Sequence, residues 1–176
     1  MHRQPTHAIY HHETSARQSG PVSLRIERAD FADPRLERFL QAHLEDLAPT
    51  APAESRHALD MAALAAPEVR LWVVRDTADD DIVGTGALAP VAARHEELKS
   101  MRTDPARRGQ GIARNLLDYL IQDAKDRGIE RISLETGSMA FFAPARALYA
   151  RAGFTPCSPF GSYRDDPHST YMSRSV

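Results

Sequence analysis

The sequence predicts an α/β domain of the α+β kind, with a mixed, mostly antiparallel central sheet and helices packed on it. Three observations carry this. Val69 to Arg75 (VRLWVVR) and Ile82 to Leu88 (IVGTGAL) are two β-prone runs joined by the acidic turn Asp76 to Asp81, which makes an antiparallel hairpin. Glu97 to Thr103, a helix running to about Arg127, and Arg131 to Glu135 form a strand–helix–strand unit whose strands are parallel. Leu36, Phe39, Leu40, Leu44 and Leu47 recur at spacings of three and four behind Pro34, the stripe of a core-packing helix.

The remaining elements follow in order. Residues 1–20 are polar and hold four of the eight histidines (His2, His7, His11 and His12), so they read as a disordered extension ahead of a domain spanning 21–176. Ser23 to Arg28 alternates as a half-buried strand. Ala48 to Glu54, with two prolines, is a loop, and Ser55 can cap a second helix from Arg56 to Ala65. His57 and Asp60 share a face of that helix, where they either reach a substrate pocket or make a structural hydrogen bond. Gly84 and Gly86 leave one face of a strand bare, as a bulge or a close passage requires.

After a loop from Ala89 to His95, a third antiparallel strand covers Glu96 to Thr103. Strict alternation puts His95, Glu97, Lys99 and Met101 on one side and Glu96, Leu98, Ser100 and Arg102 on the other. Charge on both sides of a central strand marks either a functional site overriding packing or an exposed strand start. Ile112, Leu116, Leu117, Leu120, Ile121 and Ala124 form the next helical stripe, closed by Gly128. A short helix runs from Pro144 to Gly153, Phe154 opens a short strand, and Ser169 to Ser173 is the last strand.

At 176 residues and 42% apolar content, the chain supports one domain with one core. A net charge of −2 and a pI near 6.4 disfavour nucleic acid as a partner. No apolar run approaches the roughly 18 residues of a membrane span, and the start lacks a signal-peptide core, so a cytoplasmic protein without membrane contact is expected. Cys157 is the single cysteine and has no activating neighbour; no Cys/His spacing suggests a metal, and none is expected.

The chemistry concentrates between Met101 and Leu117. A helix beginning after Gly111 turns free N–H groups and its positive dipole end into a loop where Gly109 and Gly111 allow close approach, and Arg102, Arg107, Arg108 and Arg114 supply charge. A phosphate or pyrophosphate suits such a site. Gly109-Gln110-Gly111-Ile112-Ala113-Arg114 matches only the first part of the dinucleotide fingerprint G-x-G-x-x-G. Five residues separate it from the strand, and Arg114 stands where the third glycine belongs. Without Gly-Lys-Ser/Thr, a P-loop is excluded.

Arg108-Gly109-Gln110-Gly111-Ile112-Ala113 resembles the R/Q-x-x-G-x-G/A signature of the GNAT superfamily of N-acetyltransferases. Ala145-x-x-Leu148-Tyr149-x-x-x-Gly153-Phe154 is similar to that family's A-x-x-L-Y-x-x-x-G-F, and HALD, KSMRTDP, LETGSM and DP-x-S look like an uncharacterised bacterial branch of it. The resemblance runs from about Ser23 to Ser173, with one departure at Phe142, where many members place Asn. It implies a GNAT-like acyl-CoA N-acyltransferase fold with a splayed parallel pair, Glu96 to Thr103 against Arg131 to Glu135.

The same resemblance implies acetyl-CoA as co-substrate, its pantetheine arm on the backbone of Met101 and Thr103. Its pyrophosphate would rest on the amides of Gly109, Gln110, Gly111, Ile112 and Ala113, with Arg107, Arg108 and Arg114 alongside. A primary amine of a small molecule or peptide would attack the thioester directly in a ternary complex; Glu97 is the candidate base, the Met101 amide the oxyanion donor, and Tyr149 the partner of the departing sulfur. A phenol of pKa ~10 would serve a thiolate of ~8.5 by hydrogen bonding before full proton transfer. His57, Asp60, His95, Glu97 and Glu135 hint at an acidic acceptor pocket, whereas Lys99 could read a substrate carboxylate. A non-catalytic acyl-CoA sensor is the alternative function, and a homodimer is left open.

Overall fold

In the computed structural model, residues 23–47 and 61–176 are described. Seven strands form one sheet in the order β1-β2-β3-β4-β5-β7-β6. They are β1 (Leu24–Arg28), β2 (Arg70–Asp76), β3 (Ile82–Ala92), β4 (His95–Thr103), β5 (Arg131–Gly137), β6 (Thr155–Pro156) and β7 (Ser169–Ser175). Every neighbouring pair is antiparallel except β4 with β5. The mixed sheet is the expected one, and its antiparallel first half is not the doubly wound parallel sheet that dinucleotide binding at Gly109 to Arg114, the weaker alternative reading of that loop, would need.

Among the described residues, four α-helices accompany it: α1 (Pro34–Leu47), α2 (Met61–Leu64), α3 (Ile112–Asp126) and α4 (Ala143–Arg151). Of the expected second helix, Arg56 to Ala65, the described part is α2; its earlier part, with His57 and Asp60, lies outside the described residues. On one face of the sheet, the α3 stripe Ile112, Leu116, Leu117 and Leu120 packs with Trp72, Leu98, Ile132, Leu134, Tyr149 and Phe154. On the other, Leu36 and Leu40 of α1 and Leu64 of α2 cover Leu71, Val73, Ala87 and Ala89. Each fully buried leucine contributes about 1.5–3 kcal/mol of transfer free energy.

Gly86 explains how closely α3 seats. A Cβ there would stand 2.7 Å from Met101 Sδ and 2.9 Å from Leu120 Cδ1, so the bare face read from the sequence is a close passage. Gly86 lies within the irregularity between Thr85 and Ala87, where β4 carries an extra residue.

Three local expectations are corrected. The loop from Ala89 to His95 is strand except for a two-residue turn at Ala93 and Arg94, the latter at φ +58°. Pro90 sits within this strand beside a bulge between Pro90 and Ala92, where a missing N–H is tolerated.

Strict alternation also fails on β4, because Ser100 adopts φ +52° and inserts a bulge: Thr85 pairs with Arg102 and Ala87 with Lys99, so that the single residue Gly86 of β3 faces both Ser100 and Met101 of β4. Met101 therefore joins Leu98 on the α3 face. Arg102 turns to the α1 face, over the Phe39 ring and beside Asp46.

Nor is the start of β4 exposed. Glu96 is 6% exposed and takes two 2.6 Å bonds from Arg127 at the end of α3, so its charge serves packing.

Gly86→Val should cost about 1–3 kcal/mol by overpacking the α3 seat. Urea unfolding would read this as a lower midpoint at unchanged slope.

Candidate active site

Parallel pairing of β4 with β5 runs from His95↔Arg131 to Leu98↔Leu134 and stops there. Beyond it β4 continues against β3 and β5 against β7, so the two strands part and the β4 edge from Lys99 to Thr103 has no β5 partner. The expected splay is thus present, opening one residue past Leu98. Thr103 Oγ1 is buried there without a hydrogen-bond partner.

The glycine loop follows directly. Asp104 caps a 3₁₀ turn, Pro105–Arg107, by accepting from the Ala106 amide at 2.9 Å. Gly109 and Gly111 stand at φ +78° and +79°, a left-handed conformation costly for other residues, and nothing lies within 4 Å of where their Cβ atoms would be. Gly111 is the N-cap of α3, and no side chain caps that end. Ile112 is 1% exposed and anchors the helix in the core, while Gln110 and Gly111 are exposed and Ala113 half-buried. An uncapped helix start with open glycines is a fitting cradle for an anion.

The arginines are less uniform than their spacing suggested. Arg108 is exposed on the loop. Arg107 donates to Asp76 at 2.5 Å and Gln110 at 3.1 Å, tying the loop to the end of β2. Backbone donation from Ala78, then Arg107, holds the Asp76 carboxyl below its usual range. Arg114 pairs with Asp118 at 2.7 Å on the α3 surface. Arg102 faces away, toward α1.

Tyr149 of α4 is 7% exposed, edge-on to Phe154 at 5.9 Å, on the α3 side of the sheet. Burial, then the charge of Glu135, pushes its phenol well above the ordinary value, so it keeps its proton. Phe142, the departure from the family pattern, packs its ring against Gly137, and Arg146 donates to the carbonyls of Gly137 at 2.5 Å and Met139 at 3.0 Å.

On the opposite face, His95, Glu97 and Lys99 do share one side, with Glu135 on the neighbouring strand. Glu97 Oε1 accepts from Lys99 Nζ at 2.9 Å and from the Tyr163 hydroxyl at 2.6 Å, and Lys99 donates to Tyr163 at 2.8 Å. Lys99 is thereby engaged within the protein. Burial, then Glu97, pushes the Tyr163 phenol up. His95 Nε2 lies 2.8 Å from Ser133 Oγ, which donates to Ser173 at 2.9 Å, and burial followed by Arg131 lowers the imidazole pKa. Glu135 accepts from Ser169 Oγ at 2.6 Å.

Tyr163 escaped the sequence reading, since it lies 66 residues from Glu97 in a segment without periodic pattern. Phe160, Tyr163 and Tyr171 stack with centroids 5.1–6.2 Å apart and hold that segment on the sheet.

Fold and site together define an acyl-transferase architecture: a splayed parallel pair beside an open, uncapped helix start, with a polar cluster on the opposite face of the sheet. The Acetyltransferase (GNAT) family model matches residues 33–154, and the chain belongs to that family. It is 39% identical over 153 residues to the uncharacterized N-acetyltransferase YsnE of Bacillus subtilis (strain 168), covering 87% of this chain and all of that one. It is 38% identical over 136 residues to the IAA acetyltransferase of Azospirillum brasilense, covering 77% and 84%. A Klebsiella pneumoniae structure assigned as an acyl-CoA N-acyltransferase superposes at TM-score 0.72, with 28% identity and coverage of 86% and 97%. The chain is accordingly an acyl-CoA-dependent N-acetyltransferase that acetylates an amine. Among the described residues, no helix is long and apolar enough to cross a membrane, and no group of three or more His, Cys, Asp and Glu could hold a metal.

The pH dependence of stability follows from the histidines. Burial, then Arg102, lowers His43 from 6.5 to about 4, and His95 shifts the same way. Between those values the unfolded chain binds a proton the folded chain refuses, so stability is greatest above pH 6.5 and falls toward pH 4. Asp76, whose folded pKa lies below 3.8, acts at lower pH, its contribution being lost only as the solution is acidified past that value. Melting temperatures from pH 7 to 4 should decline, and His43→Gln should decline less.

Proposed function

We propose that acetyl-CoA and a primary amine bind together, the donor on the α3 side of the β4–β5 opening and the acceptor on the α1 side, and that the amine attacks directly. The observation that supports this best is that the unpaired β4 edge leads into the uncapped start of α3. Backbone groups of Met101 and Thr103 hold the pantetheine arm. The amides of Gly109, Gln110, Gly111, Ile112 and Ala113 take the pyrophosphate, with Arg108 nearest in charge and Arg107 and Arg114 shaping the rim. Acetyl-CoA supplies the acetyl group as an activated thioester.

The protein's own groups manage protons. An alkylamine of pKa ~10.4 is almost wholly protonated at neutral pH. Glu97 removes that proton, directly or through water, while Lys99 and Tyr163 fix its orientation. The Met101 amide donates to the carbonyl oxygen. Tyr149, raised in pKa, donates a hydrogen bond to the departing sulfur and gives up its proton late, if at all. His95 and Glu135 border the acceptor. The same reading makes this a cytoplasmic enzyme; its assembly as a homodimer is checked by sedimentation.

Thiol release from acetyl-CoA with a broad amine panel tests the reading. Glu97→Gln should lower kcat about 10²–10³-fold, and Tyr149→Phe should lower kcat with the acetyl-CoA KM near that of wild type. Tight acetyl-CoA binding with no amine turned over would instead make the chain an acyl-CoA sensor.

A further inference from the structure

We propose that the acceptor is an amino acid, or an amine likewise carrying a carboxylate a few atoms away, and that Arg102 binds that carboxylate. This rests on the acetyl-transfer reading above and names its acceptor class.

The bulge at Ser100 is the first observation. It holds a non-glycine residue at φ +52°, supported by Thr85 donating to the Ser100 carbonyl at 3.0 Å. Without it Arg102 would point into the α3 core and Met101 toward the acceptor face. The strand accepts an unfavourable conformation, and a guanidinium faces α1 as a result.

The state of that guanidinium is the second. Arg102's side chain is 9% exposed, and among the described residues its Nε and Nη1 are buried without hydrogen-bond partners. Asp46, 45% exposed, comes within 3.0 Å of Nη1 but off the hydrogen-bonding direction. Phe39 supplies a flat apolar wall 5.1 Å from the guanidinium carbon. Burying such donors unsatisfied is costly, and a carboxylate satisfies a guanidinium in two parallel bonds.

The neighbours fix the class. Lys99, the sequence candidate for a carboxylate, is occupied by Glu97 and Tyr163. His43 beside Arg102 stays neutral and adds no charge. Glu97 and Glu135 suit the ammonium end.

Thiol release would be compared for free L-amino acids, their carboxamides and the decarboxylated amines, with wild type, Arg102→Gln and Arg102→Lys. Calorimetry would measure acetyl-CoA and amino-acid binding separately, and melting curves would check folding. Wild type should favour an amino acid over its carboxamide about 10–100-fold in kcat/KM, in line with one charge-assisted pair. Arg102→Gln should abolish that preference through KM with acetyl-CoA affinity within about twofold, and Arg102→Lys should restore part of it. Equal use of acid and carboxamide by wild type overturns the proposal without needing any variant, as does Arg102→Gln weakening acetyl-CoA while acceptor preference persists. If acetyl-CoA binds but no amine releases thiol, the transfer reading fails. Calorimetry then decides for Arg102: amino-acid binding lost in Arg102→Gln supports it, and no binding overturns it.

Discussion

Everything at the site depends on the place where β4 and β5 stop pairing. A parallel ladder satisfies backbone groups on both strands only while they stay about 4.8 Å apart. Past Leu98 and Leu134 they do not, and the β4 edge is left with polar groups that need another partner. The sheet stays intact because each strand keeps its outer neighbour, β3 for β4 and β7 for β5. An opening is thereby built into the middle of a sheet without an edge strand being lost.

The two faces of this opening are made chemically different by packing. On one, α3 seats so closely that Gly86 is required beneath it, and its N-terminus is delivered uncapped to the mouth. Tyr149 is carried to the same side by α4 and held in the core as a neutral phenol. On the other, α1 borders Arg102, and the aromatic stack of Phe160, Tyr163 and Tyr171 closes over Glu97 and Lys99.

Buried charge serves two purposes that are easily confused. Glu96 and Glu97 are adjacent and both nearly inaccessible, yet Glu96 fastens the end of α3 through Arg127 while Glu97 belongs to a triangle with Lys99 and Tyr163. Arg75, 5% exposed, is likewise structural, bonded to Glu27 at 2.7 Å and Asp33 at 2.6 Å. Arg102 differs from all of these in that, among the described residues, buried donors of its guanidinium lack hydrogen-bond partners.

Local chemistry in the sequence determined the strand–loop–helix unit, the glycine loop, α1, α3 and α4, and the Tyr149 motif. Each rests on spacing or backbone preference within a few residues: the i, i+3, i+4 stripes, prolines at helix starts and glycines at helix ends. Tertiary structure decided which side of β4 its residues face after Ser100, since one residue in a left-handed conformation reverses the alternation and no local pattern announces it. It also decided which charges are spent on packing, because Arg107 meets Asp76 and Glu96 meets Arg127, each from 31 residues away. Tyr163 joined the site for the same reason: burial and long-range pairing are properties of the folded sheet, and a one-dimensional pattern cannot express them.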